Sequence, residues 1–157
     1  MILLEEFVNK SSACSIKSIY KQLDMKKHRK TEEEWEAQLN DLEYNVLRNS
    51  GTERPYTGKY YEHNESGTYL CNACKEPLFD SSHKYHSGCG WPSFWTELST
   101  ASIVQKTDHS HGMKRIELCC SFCDSHLGHI FNDGPEPSGM RYCINSVCLD
   151  FIPRNDE

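Results

Sequence analysis

The rhythm of hydrophobic and polar positions changes once along the chain. Between residues 32 and 48, Trp35, Leu39, Leu42 and Val46 recur at intervals of four, three and four among Glu, Gln and Asn, which is the spacing of one helix face. Thr31 stands three residues before Glu34, where each side chain can satisfy the other's orphan backbone N–H. Gly51, just past Arg48-Asn49-Ser50, is available to end the helix. The pattern predicts a single helix over 32–48. Beyond Gly51, Pro, Gly and Asn punctuate short segments such as Gly67-Thr68-Tyr69-Leu70, Met113 to Leu118 and Met140 to Asn145, which read as strands. No second long helical period follows, so a mainly β domain with an N-terminal helix is expected over 31–157. Upstream, Ile16, Ile19, Tyr20 and Leu23 sit at i, i+3, i+4 and i+7 among lysines. That segment is expected to be a basic extension over 1–30, either unstructured or an address for import.

Composition narrows the class. The 157 residues make one ordinary domain, and 37% hydrophobic content with 11% aromatic residues suffices for a core. No apolar run reaches the length needed to span a membrane. The net charge of −6 argues against general nucleic-acid binding, which needs a basic surface. Residues 1–30 carry seven basic against three acidic side chains, so a basic leader precedes a strongly acidic body. Nine cysteines are many and odd in number, and Glu5 and Glu6 interrupt any secretory h-region. The expected setting is cytoplasmic, or alternatively mitochondrial or another organelle reached through the basic extension. In such compartments cysteines usually serve metals or redox chemistry.

Cys71-Asn72-Ala73-Cys74 and Cys120-Ser121-Phe122-Cys123 each present two thiols from a tight turn. Together they offer the four sulfurs of a closed, structural zinc site. The alternative, a thioredoxin-like redox pair, is weakened by the lack of a βαβ pattern around either unit. Cys119 fits the ligand register less well than Cys120. In Arg141-Tyr142-Cys143-Ile144-Asn145, strand alternation would put Arg141, Cys143 and Asn145 on one face, with a guanidinium favouring thiolate; a free cysteine is also a common small core residue. Cys89 lies between Gly88 and Gly90, which would let its thiol move, or it is simply a turn residue. His126 and His129 follow the second Cys-x-x-Cys, but i and i+3 need not converge in a strand. Trp91, before Pro92, could wall a small apolar substrate group or pack in the core.

Taken in order, these motifs resemble one family, the B-type methionine sulfoxide reductases (MsrB). The stretches are Gly51-Thr52-Glu53-Arg54-Pro55-Tyr56-Thr57-Gly58, Cys71-x-x-Cys74, Ser87-Gly88-Cys89-Gly90-Trp91-Pro92-Ser93-Phe94, His111-Gly112-Met113, Cys120-x-x-Cys123, His126-Leu127-Gly128-His129 and Arg141 to Ser146. They cover about 31–152. The resemblance implies two antiparallel sheets with a zinc clip at Cys71, Cys74, Cys120 and Cys123, and reduction of methionine-(R)-sulfoxide. It further implies Cys143 as nucleophile, Cys89 as the recycling cysteine, and Trp91, His126, His129, Arg141 and Asn145 around the substrate. Thioredoxin or a similar dithiol would reopen the disulfide. Cys148 is the rival to Cys89; in an extended strand its odd offset of five from Cys143 would point the two thiols to opposite faces. Competing readings are a non-catalytic zinc-binding interaction module and a thiol hydrolase, for whose oxyanion hole no signature is present.

Overall fold

A computed structural model describes residues 30–100 and 102–155; the basic extension, with its weak helical period and Cys14, lies outside them. Thr31 does cap a helix, and the reciprocal bond with Glu34 is present. The single helix expected over 32–48 is instead two, α1 (Glu32–Gln38) and α2 (Asp41–Asn49). Leu39 and Asn40 turn extended between them, because Asn40 opens a second capping box with Glu43. The break re-registers the apolar face. Trp35, Leu39, Val46 and Leu47 are buried, whereas Leu42, counted in the sequence stripe, is half exposed. Ser50, rather than Gly51, takes the left-handed turn that ends α2 (φ 54°).

Nine strands follow among the described residues: β1 (Gly67–Cys71), β2 (Pro77–Asp80), β3 (Lys84–Tyr85), β4 (Ser93–Phe94), β5 (Ile103–Asp108), β6 (Arg115–Cys120), β7 (His126–Phe131), β8 (Arg141–Ile144) and β9 (Leu149–Pro153). They form two antiparallel sheets, in the orders β2-β1-β9 and β3-β4-β8-β7-β6-β5. The mainly β architecture of two antiparallel sheets is therefore as expected, with two N-terminal helices in place of one.

The core includes residues from both sheets. Phe79 of β2 stacks on Phe94 of β4 with centroids 4.1 Å apart, and Tyr69, Leu78, Leu118, Leu127 and Ile144 are fully buried. Burying such side chains is the main favourable term in folding, roughly 1.5–3 kcal/mol each. In β8, Tyr142 and Ile144 point into this core, which turns Arg141 and Cys143 to the opposite face. The β7–β8 seam is tight: a Cβ at Gly128 would lie 1.9 Å from the Cys143 carbonyl oxygen, so only glycine fits.

The helices clasp the two Cys-x-x-Cys turns. Gln38 Nε2 donates to the Ala73 carbonyl at 2.9 Å, and Arg48 donates to the Cys123 carbonyl at 2.8 Å. The turns are built alike. Lys75 N–H bonds back to Cys71 O and Asp124 N–H to Cys120 O, and both Lys75 and Asp124 adopt positive φ (64° and 61°).

Candidate functional site

The core-averse face of the six-stranded sheet carries chemistry in cross-strand rows. Lys106 pairs with Glu117, Glu117 with His129, His129 with Cys143, and Cys143 with Ser93. A neighbouring row runs from Asp108 to Arg115, and Phe131 pairs with Arg141. His126 joins this face through a register shift between Leu118 and Cys119, which sets Cys119 opposite His126 and Leu118 opposite Gly128. The bulge supplies the extra residue that lets i and i+3 share a face. The two imidazoles accordingly meet with centroids 5.5 Å apart.

Each imidazole is held by a carboxylate. His126 Nδ1 lies 3.0 Å from Glu117 Oε2, and His129 Nε2 lies 2.7 Å from Asp108 Oδ2. Burial pushes the pKa of His126 below its ordinary value, against the pull of Glu117. Asp108 is held well below the usual carboxylate range by the Ser110 backbone N–H first and by His129 next. Arg115 donates to Asp108 and Ser110, while its Nε is buried without a hydrogen-bond partner, as is His126 Nε2. Glu117, Asp108 and Arg115 were not singled out in the sequence. Acids and bases in a strand look like a solvated face until the register is known.

A small pocket of about 90 Å³ is lined by Thr52, Trp91, Arg115, His129, Cys143 and Asn145, with Phe131 and Gly128. Trp91 is fixed by its indole N–H on the Glu53 carbonyl at 3.2 Å. Asn145 accepts from Glu53 N–H at 3.1 Å and donates to Leu127 O at 3.0 Å, so both ends of its amide brace the wall. Glu53 is itself buried and accepts the backbone N–H groups of Ser146 and Val147. It ties the 51–58 loop to the end of β8 across the whole domain.

The two unallocated cysteines of interest meet. Cys89 Sγ lies 3.8 Å from Cys143 Sγ, and both are partly exposed. Gly88 and Gly90, both at positive φ (76° and 101°), flank Cys89 as backbone that L side chains rarely adopt. Electrostatics differ from the simple expectation. Arg141 does pull the Cys143 pKa down, but its guanidinium is clamped bidentate on Asp133 (2.8 and 3.1 Å). The hydrogen bond to Cys89 and burial outweigh it, so the Cys143 thiol is raised, while Cys89 is lowered to about 4 chiefly because Cys143 donates to it. Across the 3.8 Å contact either thiol can donate, and Cys89 is the one whose thiolate is favoured. Cys148 is elsewhere. It is fully buried, donates to His126 O at 3.2 Å, and ends a short 3-10 turn (Ser146–Cys148) rather than lying in an extended strand with Cys143.

Cys71, Cys74, Cys120 and Cys123 converge, all four sulfurs lying within 4.8 Å of one another, a group that could hold a metal ion. Cys119 instead points to Glu117 Oε1 at 3.0 Å. No helix among the described residues is long and apolar enough to cross a membrane.

Comparison with known proteins bears on the family of the chain. The model of the SelR domain matches residues 39–153. A peptide methionine sulfoxide reductase MsrB of Pseudomonas savastanoi pv. phaseolicola is 56% identical over 130 residues, covering 83% of this chain and 99% of that protein. The namesake of Pseudomonas putida (strain W619) is 56% identical over 131 residues (83% and 98%), and that of Hahella chejuensis 54% over 127 (81% and 91%). By the extent of both matches, the chain belongs to the SelR domain family, among relatives named peptide methionine sulfoxide reductase MsrB.

Proposed function

We propose that the protein reduces methionine-(R)-sulfoxide, in oxidised proteins and as the free amino acid, to methionine. The observation that carries this reading is the Cys89–Cys143 pair, 3.8 Å apart, with Cys143 lining a pocket beside Trp91 and His129. Substrate entry lets the Cys143 proton pass to Cys89, and the Cys143 thiolate attacks the sulfoxide sulfur. Oxide is a poor leaving group, so the oxygen must be protonated as it departs. His129 and His126, each oriented by a carboxylate, are the donors: His129 lines the pocket and acts directly, whereas His126, buried behind it and outside the pocket lining, acts through water. With the oxygen gone as water, a water oxygen bonds to Cys143 Sγ as the bond between Cys143 and the substrate sulfur breaks; the substrate sulfur takes both electrons and leaves as the thioether, and Cys143, two electrons poorer, becomes the sulfenic acid. Trp91 packs on the methyl group and helps select the epimer. Arg141 and Asn145 hold β8 and the pocket wall. Cys89 then attacks Cys143, expelling water and forming a disulfide that thioredoxin or a similar dithiol reopens. Substrate recognition and recycling thus fall to different side chains.

The metal in this reading is structural zinc. Tetrahedral Zn–S bonds of about 2.3 Å require sulfurs about 3.8 Å apart, and Cys71–Cys123 and Cys74–Cys120 stand at 3.7 and 3.6 Å. Four thiolates leave no open position, so zinc would supply cross-linking between β1 and β6 and no step of the reaction. The catalytic domain comprises 31–157, with 1–30 as an extension. A cytoplasmic setting, where thiols are kept reduced, suits these free cysteines.

The decisive assay offers dabsyl-methionine (R)- and (S)-sulfoxide separately with a thioredoxin recycling system. Reduction of the R epimer alone is expected, lost at least about a thousandfold in Cys143→Ser. Reduction of the S epimer, or full turnover by Cys143→Ser, would refute the reading. A non-catalytic zinc module would leave both epimers untouched.

A further inference from the structure

Tyr56 is a large aromatic residue, 64% exposed, in backbone that tyrosine rarely adopts (φ 66°). Residues held in such regions persist only where the surrounding structure fixes them. The ring is not needed to fill the core. The left-handed turn instead aims the whole residue at one target. Its backbone N–H donates to the Gly90 carbonyl at 2.7 Å, and its phenol donates to the Gly88 carbonyl at 3.2 Å. The two accepting residues flank Cys89.

Within its own turn, the Cys89 N–H makes a long bond to Ser87 Oγ at 3.3 Å, and a Cβ at Gly88 would meet nothing within 4 Å. On the far side the two loops touch, since a Cβ at Gly90 would lie 2.6 Å from Pro55 Cβ. The Tyr56 ring packs edge-on against Tyr61, with centroids 5.4 Å apart, and Tyr61 lies against His86 just before the turn. The clasp is fastened at its other end too. Glu53 accepts the Ser146 and Val147 N–H groups through its carboxylate and donates its own N–H to Asn145, two residues beyond Cys143. Segment 53–56 therefore runs from the chain that follows one reactive sulfur to the turn that carries the other. Across this bridge the sulfurs meet at 3.8 Å.

We propose that Tyr56 is a positioning residue for Cys89, and that its bonds to the carbonyls of Gly88 and Gly90 set the rate at which the disulfide with Cys143 closes. The proposal rests on the reading of Cys143 and Cys89 given above. In this step the Cys89 thiolate attacks Cys143 Sγ, an S–S bond forms and the S–O bond of the sulfenic acid breaks. Hydroxide leaves and takes a proton from solvent as water; Cys89 is oxidised and Cys143 reduced. The rate of such an intramolecular step depends on placement of the reacting atoms. The earlier attack on the sulfoxide uses Cys143 and the small pocket, which Tyr56 does not line. Tyr56 thus acts on the second step alone. A sulfenic acid left waiting is open to further oxidation, so prompt closure protects the nucleophile.

The test mixes full-length protein with methionine-(R)-sulfoxide and dimedone, without reductant. Released methionine reports the first step. Each Cys143 sulfenic acid is then either trapped by dimedone or closed on Cys89, so the ratio of adduct to disulfide in peptide mapping reads closure even when the first step limits. Unfolded molecules make neither product, and the ratio is blind to stability. Should the wild type release no methionine, or form no Cys89–Cys143 disulfide, the underlying reading fails. Tyr56→Phe keeps the ring and the N–H but loses the bond to Gly88; Tyr56→Gly accepts the same φ and loses the side chain. Methionine release is expected at the wild-type rate in both. The ratio of adduct to disulfide should rise by about threefold in Tyr56→Phe and about tenfold in Tyr56→Gly. A wild-type ratio in both variants, or methionine release slowed as much as the ratio rises, overturns the proposal.

Discussion

Of the two facing sulfurs, Cys89 is the one whose pKa is lowered. Cys89 is drawn down to about 4 by the hydrogen bond from Cys143 first, then by Ser87 and Ser93 and the Trp91 backbone, whereas Cys143 is raised. The sign follows directly: a lowered thiol is ionised above its own pKa, so at pH 6 Cys89 is thiolate and Cys143 is not. Iodoacetamide at pH 6 should therefore alkylate Cys89 first, as read by peptide mapping. In Cys143→Ala the chief cause of the depression is gone, and Cys89 labelling at that pH should slow by about tenfold or more. Residues with distinctive chemistry could be picked out in the sequence at this scale, and the structure brings the four cysteines of the two Cys-x-x-Cys turns together and Cys89 to Cys143. Glu117, Asp108, Arg115 and Glu53 could not. An acid in a strand has no local mark of function, and only cross-strand register brings Glu117 to His126 and Asp108 to His129.

Elements were read less evenly. The β segments over Gly67–Leu70, Arg115–Leu118 and Arg141–Ile144 follow from alternation and turn residues. The helix was misread because Leu39 and Leu42 continue an apolar period straight through Asn40. The signal for the break was nevertheless present, since Asn40 and Glu43 repeat the spacing of Thr31 and Glu34. That second cap is testable. Asn40→Ala should cost about 1 kcal/mol and lower the melting temperature by roughly 3–5 °C in calorimetry, with the rate per folded molecule unchanged. Convergence of His126 and His129 likewise depended on the bulge between β6 and β7, a feature that side-chain alternation alone cannot reveal.

For the whole molecule, the four-sulfur cluster holds the ends of β1 and β6, one from each sheet, and both helices bond to its turns. Metal binding at such a place is largely folding energy. On the proposed reading of this cluster as a zinc site, Cys71→Ser should lose metal and melting temperature together, with a stability loss of about 3 kcal/mol or more, as followed by metal analysis and thermal denaturation on the same samples. A variant that kept full stability and zinc stoichiometry yet lost activity would argue for a direct part in the chemistry.

The buried carboxylate of Glu53 bonds to backbone 93 and 94 residues further on, and Asn145 reaches back to the same loop. A contact this distant in sequence closes late, since the chain between must first be ordered. During synthesis, then, a ribosome that has released Cys89, Trp91 and both histidines has still not supplied Cys143 and Asn145, without which the small pocket has no closed wall. Competence arrives in one step, when the last strands dock, so an incomplete or nicked chain exposes reactive thiols with no means of directing them.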